Sequence, residues 1–316
     1  MKMTNFKGTR EAFAAAITDL AAENSKIMFV SPDSLKAMRA TKFAELHPDQ
    51  YIEVGISEQC AVDTAAGLAS TGLIPFVGTY AGFLTMRACE QMRTFVAYPN
   101  LNVKFIGINS GLLGGEREGV THQFYEDVGI LSNIPNFAIF TPADAAQTYH
   151  SVLEAAKIDG PVYIRAGSGR EEDVFDKNTP FHKDGITVLK QYGNDALLLS
   201  SGFVLPRVLE AADILKTKEI RVTAADVNIL YGRDPSKILD AMSKTNQIIT
   251  VEDHNVNGGL GAYISKLACE NRPARVKRIG LTTFGESGPA KELADSYGFK
   301  PETIAETVLA ELEKTC

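Results

Sequence analysis

The sequence contains no tryptophan and only four cysteines, which stand far apart at Cys60, Cys89, Cys269 and Cys316. None belongs to a Cys-x-x-Cys pair, and no histidine stands at metal-ligand spacing from any of them, so neither a zinc ribbon nor a disulfide framework is expected. We interpret the four as reduced structural thiols. Only five histidines are present, which leaves few side chains able to act as an acid or base near neutral pH.

An excess of basic charge and a long apolar run are also missing. The 39 acidic and 32 basic side chains give a net charge of -7, the wrong sign for general attraction to nucleic-acid phosphates or anionic lipid. No apolar run approaches the roughly 18 to 20 residues that cross a bilayer, and the first residues lack the apolar core of a secretory signal. We therefore expect no nucleic-acid or membrane partner and a cytoplasmic location.

The length and composition predict an ordinary globular protein with two domains. The chain has 316 residues, about twice the usual domain length, with 45% hydrophobic and 22% charged residues. Through the first half, short apolar runs near residues 26, 51, 74, 103, 137 and 161 alternate with helical patterns at roughly 9 to 23, 58 to 70, 83 to 97 and 143 to 157. This alternation predicts an α/β domain with a mostly parallel, doubly wound sheet.

A polar stretch at residues 167 to 185 has no helical or strand period and indicates an interdomain connection. A second strand and helix alternation follows it. We place the first domain at residues 1–175, the linker at 176–190 and a smaller, second α/β domain at 191–316.

Glu58 follows a predicted strand and a glycine, in the first turn of a predicted helix. An acid at this position ordinarily complements the helix dipole. Alternatively, it lies at the carboxyl end of a parallel strand, where open α/β sheets bind ligands.

Two later segments also follow predicted strands. Tyr80, Phe83 and Met86 recur at spacing three, and Gly78 and Gly82 among them indicate that a loop presents Tyr80 and Phe83 as one wall of a pocket for a flat heterocycle. The segment INSGLLGGEREGVTHQFYED predicts a long, mobile, glycine-rich loop that carries Glu118 and His122. It lacks a phosphate-loop motif.

In the second half, GGLG opens a predicted helix and resembles a dinucleotide fingerprint only weakly, because its third glycine is absent. A helix start explains this turn better than a nucleotide site. FGESGPAKEL is interpreted in the same way, as a turn that leads into a helix.

In chain order, seven segments resemble the C-terminal half of the transketolase family: GISEQCAV, PFVGTYAGFLTMRACEQMR, the glycine-rich loop ending in THQ, PADAAQ, PVYIR, GGLGAYISK and ESGPAKEL. The likeness spans essentially the whole chain and is greatest to the split transketolases, whose pyrimidine-binding and C-terminal domains form a separate polypeptide. This resemblance implies thiamine diphosphate as cofactor.

In that family, a GDG…N motif in another domain holds the diphosphate and its Mg²⁺, and this sequence has no GDG. The resemblance therefore implies an N-terminal partner subunit that carries GDG…N and ligates the Mg²⁺, with no metal ligand on this chain. It also implies an α2β2 assembly in which two copies of this chain form a dimer flanked by two partners.

The resemblance assigns Glu58 to the pyrimidine N1′ of the cofactor, and Tyr80, Phe83 and Met86 to the wall against the aminopyrimidine. It assigns His122 to the substrate hydroxyls near the reacting carbon. Glu118 falls where the family usually has aspartate, in a loop that is one residue longer, which puts the stereochemical preference for substrate in doubt.

For the phosphate of the sugar, the resemblance implies Arg10 and Ser34, with Asn109 where the family has a histidine. Either Arg165 or Arg170 corresponds to a further arginine. Arginine suits phosphate because its planar fork donates two parallel hydrogen bonds.

The expected function is therefore that of the C-terminal subunit of a transketolase, which transfers a two-carbon ketol unit from a ketose phosphate to an aldose phosphate. Within enzymes, the alternatives are a 2-oxo acid dehydrogenase β subunit and a relative of deoxyxylulose-phosphate synthase. A noncatalytic assembly subunit is the alternative of another class, and the presence of Glu58 argues against it. A nucleotide-binding Rossmann protein would rest on GGLG alone.

Overall fold

The computed structural model describes residues 6–115, 117–176, 178–179 and 181–314. The strands are β1 (Ile27–Ser31), β2 (Tyr51–Glu53), β3 (Ile74–Tyr80), β4 (Lys104–Ile108), β5 (Ala138–Phe140), β6 (Val162–Arg165), β7 (Thr187–Gln191), β8 (Ala196–Ser201), β9 (Val222–Asp226), β10 (Ile229–Tyr231), β11 (Gln247–Asn255) and β12 (Arg275–Leu281).

The α-helices are α1 (Thr9–Glu23), α2 (Thr41–Leu46), α3 (Glu58–Ser70), α4 (Cys89–Gln91), α5 (Asp127–Leu131), α6 (Ala145–Ala155), α7 (Leu205–Thr217), α8 (Ser236–Met242), α9 (Leu260–Asn271), α10 (Ala290–Ser296) and α11 (Pro301–Glu313). The π-helical segments are Phe83–Arg87 and Met92–Ala97, and the 3-10 turns are Pro48–Gln50 and Gly202–Val204.

Within the described residues the first sheet has seven strands in the order β10-β5-β6-β4-β3-β1-β2. Its neighbours pair in parallel, except that β10 runs antiparallel to β5. Every residue of β1, β4 and β6 is buried, as expected for central parallel strands covered by helices on both faces. The mostly parallel α/β architecture predicted from the sequence is confirmed.

The second sheet has the order β12-β11-β8-β9-β7 among the described residues. It is parallel apart from β7, which pairs antiparallel with β9. The strand β7 begins at Thr187, inside the segment predicted as linker. One apolar cluster joins the two sheets, since Val77 and Phe105 of the first belong to the same core as Leu197 and Ile248 of the second.

The strand β10 departs from a simple two-domain division. It lies in the second half of the chain but forms an edge of the first sheet, with Ile229 opposite Phe140. The two halves are therefore joined by main-chain pairing as well as by apolar contact. The domain boundaries derived from the sequence stay a prediction.

The carboxyl ends of β2, β3, β4 and β6 lie at the same edge of the first sheet, because these strands are parallel. Helix α3 begins shortly after β2, β3 ends at Tyr80, and Asn109 directly follows β4. This edge is where open α/β sheets bind ligands.

Candidate functional site

Glu58 lies at the start of α3 and is only 7% exposed. The chain turns after β2 at Gly55, whose φ of 71° lies in the left-handed region that glycine tolerates. The Glu58 carboxylate accepts a hydrogen bond of 3.0 Å at Oε1 from Nη1 of Arg87. A largely buried carboxylate is thus paired with an arginine that lies at the surface.

The Arg87 guanidinium makes a second contact, with an aromatic ring. Its central carbon lies 3.7 Å from the centroid of the Phe83 ring, which is cation–π geometry. The Arg87 side chain is 52% exposed. A flat, nitrogen-rich group therefore rests on Phe83 and donates to Glu58 at the same time.

His122 lies against both predicted wall residues. Its ring centroid is 4.9 Å from that of Tyr80 and 5.4 Å from that of Phe83, both in edge-on geometry. The rings of Tyr80 and Phe83 lie 5.2 Å apart. All three are partly exposed, so residues from two separate segments of the chain form one open aromatic group.

The prediction that a loop presents Tyr80 and Phe83 is wrong. Tyr80 is the last residue of β3, and Phe83 is the first residue of a π-helical segment. Gly82 is needed for close packing, because an added Cβ would collide with the ring of Phe124. The helix predicted over residues 83 to 97 is also irregular, since π-helical turns flank α4. Such turns are frequent at functional sites.

Met86 lies in the π-helical segment that contains Phe83 and Arg87, and is 46% exposed. Its side chain is thus accessible on the same segment as the wall. Contact between Met86 and a cofactor stays a prediction.

Arg10 and Asn109 contact each other. Nη2 of Arg10 donates to the side-chain oxygen of Asn109, while Nε and Nη1 each donate at 3.4 Å to the carbonyls of Gly167 and Ala37. Burial lowers the pKa of Arg10, an effect that nearby Tyr80 opposes. Two of the residues expected to bind the sugar phosphate are therefore brought together beside the aromatic group.

Ser34 is buried, and its hydroxyl lies 2.6 Å from that of Thr79, the neighbour of Tyr80 in β3. Ser34 Oγ also donates to the carbonyl of Pro32. The contacts in the structure give it a role in fixing the strand end, and its contact with substrate stays a prediction.

Glu118 and Arg170 are exposed. Arg170 lines a cleft of about 630 Å³ between the two halves of the chain, together with Leu113, Phe203 and Lys300. Gly169 lies against the Arg10 side chain, so Arg170 directly follows a residue at the candidate site. Arg170 is therefore next in sequence to a residue that contacts Arg10, but its side chain lines the cleft and is not part of the aromatic group.

Two family models match the chain. The transketolase pyrimidine-binding domain matches residues 7–169, and the transketolase C-terminal domain matches residues 185–304. The chain belongs to the transketolase family. This family depends on thiamine diphosphate.

Components of split transketolases are among its relatives. The chain is 31% identical over 296 residues to the 6-deoxy-6-sulfo-D-fructose transketolase subunit SqwH of Clostridium sp., covering 93% of this chain and 91% of the relative. It is 32% identical over 311 residues to an apulose-4-phosphate transketolase subunit of Phocaeicola vulgatus, covering 98% and 99%. The chain is therefore a transketolase-like C-terminal subunit.

A solved structure agrees with this assignment. A split-gene transketolase, described as an inactive β4 tetramer, is 33% identical, with a TM-score of 0.87 and coverage of 98% of this chain and 99% of that one. A transketolase of Pichia stipitis in complex with sedoheptulose 7-phosphate matches at 19% identity and a TM-score of 0.81, over 97% of this chain and 46% of that one. The second likeness concerns the fold alone.

Within this transketolase fold, Arg165 is separated from the candidate site by its own contacts. It is 3% exposed, Nε donates to both carboxylate oxygens of Asp127 at 3.1 and 3.2 Å, and Nη2 donates to the carbonyl of Asp253 at 2.7 Å. The buried ion pair explains how Arg165 is held in the fold, and its contact with a sugar phosphate stays a prediction. Of the two candidate arginines, only Arg170 keeps its guanidinium at a surface cleft.

The buried ion pair belongs to a network that sequence reasoning missed. The Tyr163 hydroxyl donates to Asp127 at 2.6 Å, and Nε2 of His254 lies 3.5 Å from the same carboxylate. Asp127 and His254 lie far apart in the sequence, so no local spacing predicts their contact. Arg87 was missed as a site residue too, although its position four residues after Phe83 places it on the same helical face.

The GGLG turn is explained by packing, as expected. It opens α9, and the free N–H groups of Leu260 and Gly261 donate to the carboxylate of Glu252. Burial raises the pKa of Glu252 to about 7. A side chain of the protein thus occupies the helix N-terminus that a nucleotide phosphate would need.

Within the described ranges, no group of three or more His, Cys, Asp or Glu side chains is arranged to hold a metal ion. The same residues include no helix long and apolar enough to span a membrane.

Proposed function

We propose that this chain is the C-terminal subunit of a thiamine-diphosphate-dependent transketolase, which transfers a two-carbon ketol unit between sugars in complex with an N-terminal, diphosphate-binding subunit. The observation that carries the proposal is the convergence of Glu58, Tyr80, Phe83 and His122 at one edge of the first sheet. An acid, two rings and an imidazole come together there from separate segments.

The site fits the aminopyrimidine of the cofactor. The Arg87 guanidinium is planar, stacks on Phe83 at 3.7 Å and donates to Glu58 at 3.0 Å. A pyrimidine ring that offers an N–H to the same carboxylate would use the same two contacts. The guanidinium thus stands in for a flat heterocycle, and it has to move aside when the cofactor binds.

The roles of this chain's residues follow from their chemistry. Thiamine diphosphate, when bound, supplies the thiazolium on which the two-carbon unit is carried between sugars. Glu58 shares a proton with the pyrimidine N1′, and its burial keeps water from competing for that hydrogen bond. Tyr80, Phe83 and Met86 hold the ring plane, and His122 binds the hydroxyls of the sugar beside the reacting carbon.

An anionic group on the sugar fits the same edge. Arg10 donates to the carbonyls of Gly167 and Ala37 and to the side-chain oxygen of Asn109, so these three hydrogen bonds hold its guanidinium in place. A positioned guanidinium suits phosphate or sulfonate oxygens. The related subunits are named for a sulfosugar and a sugar phosphate, which supports an anionic sugar as the donor. We propose an aldose phosphate as the acceptor. Glu118 and Arg170 are exposed, and we propose that they contact the sugar from the surface beside this edge.

A partner subunit is part of the proposal. The cofactor's diphosphate needs Mg²⁺, and the GDG motif that holds both in this family does not occur in the sequence. The split-gene relative described as an inactive β4 tetramer supports the idea that a chain of this kind is inactive by itself. We propose an α2β2 assembly in which the N-terminal subunit, carrying GDG…N, ligates the Mg²⁺ and completes each site.

Reconstitution tests this proposal. The purified chain is combined with an N-terminal subunit that carries GDG…N, and ketol transfer is measured over a panel of ketose phosphates and sulfosugars with aldose phosphates as acceptors. We expect no turnover from either chain alone and turnover from the mixture that depends on thiamine diphosphate and Mg²⁺. Full activity of the isolated chain would overturn the proposal, as would a complex that consumes only 2-oxo acids.

A further inference from the structure

The segment that carries His122 lies on the second half of the molecule along most of its length. At its start, the N–H groups of Leu112 and Leu113 donate to the two carboxylate oxygens of Asp253 at 2.8 and 3.3 Å. Asp253 belongs to β11 of the second sheet. The first turn of the loop is thus bonded to a strand of the other domain.

The other end of the segment is bonded in the same way. The N–H of Asn255 donates to the carbonyl of Tyr125 at 2.7 Å, and the N–H of Gly285 donates to the Tyr125 hydroxyl at 2.9 Å. Beside His122 itself, Gln123 donates at 2.8 Å to the carbonyl of Glu286. Every one of these partners lies in the second half of the chain.

Apolar contacts follow the hydrogen bonds. Leu112 and Tyr125 are 0% and 1% exposed, and both belong to the core formed with Leu198 and Val251 of the second sheet. The two side chains therefore anchor both ends of the loop in the hydrophobic core of the second domain.

The glycines of this loop allow the close approach. An added Cβ at Gly111 would collide with the carboxylate of Asp253, and one at Gly119 would collide with the hydroxyl of Ser287. Both glycines also have positive φ, of 82° and 75°. The predicted mobile loop is instead fitted closely against the second domain, and its glycines serve contact at these two positions.

Asp253 is itself fixed from the first domain. It is 0% exposed, and its carbonyl accepts the 2.7 Å hydrogen bond from Arg165, the arginine of the buried ion pair. A buried carboxylate keeps its hydrogen bonds because the alternative is an unsatisfied charge in a medium of low dielectric. The carboxylate is therefore a rigid anchor for the loop's two N–H groups.

From these contacts we infer that the second domain positions the substrate-binding loop, and that Asp253 is the positioning residue which holds His122 against Tyr80 and Phe83. The role of His122 in this inference rests on the proposed function. The anchoring of the loop by the second domain rests on the contacts alone. It gives the second domain a defined part in sugar binding, although that domain contributes none of the residues at the aromatic group.

The test uses the full chain with Asp253→Asn, which keeps the size of the side chain but leaves a single acceptor oxygen for two N–H groups. Hydrogen–deuterium exchange of residues 109 to 125 should become at least about tenfold faster, since a hydrogen bond to a charged group is lost. Asp240→Asn is the matched control, because Asp240 lies in the same domain with its side chain 71% exposed. That variant should exchange like the wild type.

Tyr125→Phe provides a second, milder variant if Asp253→Asn folds poorly. It removes only the hydroxyl that accepts from Gly285 and leaves the ring in the core. Here we expect faster exchange confined to the end of the loop near residue 125, by about threefold.

Steady-state kinetics of the reconstituted complex complete the test. If the loop positions His122 for the donor sugar, Asp253→Asn should raise the KM for that sugar about tenfold, with a smaller decrease in kcat. Unchanged exchange in both variants would overturn the inference, and so would faster exchange with donor KM at the wild-type value. Absence of turnover in the wild-type complex would overturn the proposed function instead, and the exchange data alone would then decide the anchoring.

Discussion

Among the residues that the structure describes, two groups are built from the same three side-chain types, an acid, an arginine and a histidine. The first is Glu58 with Arg87 and the nearby His122, at the open edge of the first sheet. The second is Asp127 with Arg165 and His254, which are exposed by no more than 3%. The sequence does not distinguish the two groups, because neither has its members at a fixed short spacing.

The difference between the groups is energetic. A salt bridge with a half-exposed partner, such as Glu58 with Arg87, contributes about 0–1 kcal/mol and separates readily. Breaking a buried pair such as Asp127 with Arg165 costs about 3–5 kcal/mol, because the remaining charge stays buried. The half-exposed pair can separate to admit a ligand at little cost in free energy. The buried pair stabilises the junction between the two domains.

Glu58→Gln is expected to have the largest effect on function. Glutamine keeps the size of the side chain but cannot share a proton, so turnover of the reconstituted complex should fall by about 10²–10⁴-fold. The free energy of unfolding should change by less than about 1 kcal/mol, since the lost pair is half exposed. Glu90→Gln, on the neighbouring exposed surface, should keep full turnover. Wild-type turnover in Glu58→Gln would remove the support for the mechanism.

Asp127→Asn, in contrast, should mainly lower the free energy of unfolding. It leaves the Arg165 charge buried, so urea unfolding should show a loss of about 3–5 kcal/mol. The exposed pair between Lys190 and Asp213 offers the control, because Asp213→Asn should cost no more than about 1 kcal/mol. Equal losses in the two variants would contradict the distinction between the groups.

His254 should make the second group sensitive to acid. Its Nδ1 lies 2.8 Å from the carbonyl of Asn255, and Nε2 accepts a hydrogen bond from the N–H of Gly129, a pattern that fits neutral imidazole. Burial lowers the pKa of His254 to about 4, with Arg165 acting in the same direction and Asp127 in the opposite one.

The sign of the pH effect follows from that pKa. Between about pH 6.5 and pH 4 the unfolded chain binds a proton at this imidazole that the folded chain does not, so stability is lost as the pH falls through this window. The contribution of His254 should amount to about 1–3 kcal/mol. Unfolding of wild type and His254→Gln, compared at pH 7 and pH 4.5, measures it. A difference between the two proteins that is independent of pH would contradict the prediction, because it would show that the imidazole has the same pKa in the folded and the unfolded chain.

Much of the fold follows from the sequence. Short apolar runs and helices with an apolar repeat are local features, so β1 begins within one residue of the run predicted near residue 26, and α3 matches the helix predicted over residues 58 to 70. The strand β10 was not predicted, because its three residues have meaning only beside β5. The π-helical turns near Phe83 were missed since they differ from an α-helix by a single inserted residue.

The candidate site was predicted in part. Glu58, Tyr80, Phe83 and His122 belong to segments that follow predicted strands, and the family resemblance assigned their roles. The parallel sheet brings the ends of such strands to one edge. Arg165 also lies at the end of a parallel strand, yet its side chain is buried in hydrogen bonds to Asp127 and Asp253. These two partners come from distant segments, so the sequence around Arg165 does not reveal them. The sequence position of an arginine does not reveal its burial, and burial decides its role.

Arg87→Ala should have the smallest effect, and it tests whether the first group really opens. Moving the guanidinium off Phe83 and Glu58 costs the cofactor about 1 kcal/mol, the sum of a weak salt bridge and a cation–π contact. Its removal should therefore tighten thiamine diphosphate binding by about five- to tenfold, measured by calorimetric titration of the reconstituted complex. Arg93→Ala, an exposed arginine on the next turn, serves as the control and should bind like the wild type. Binding weakened by tenfold or more would mean that Arg87 stays bonded to Glu58 in the loaded site, and the two groups would then differ in exposure but not in their capacity to open.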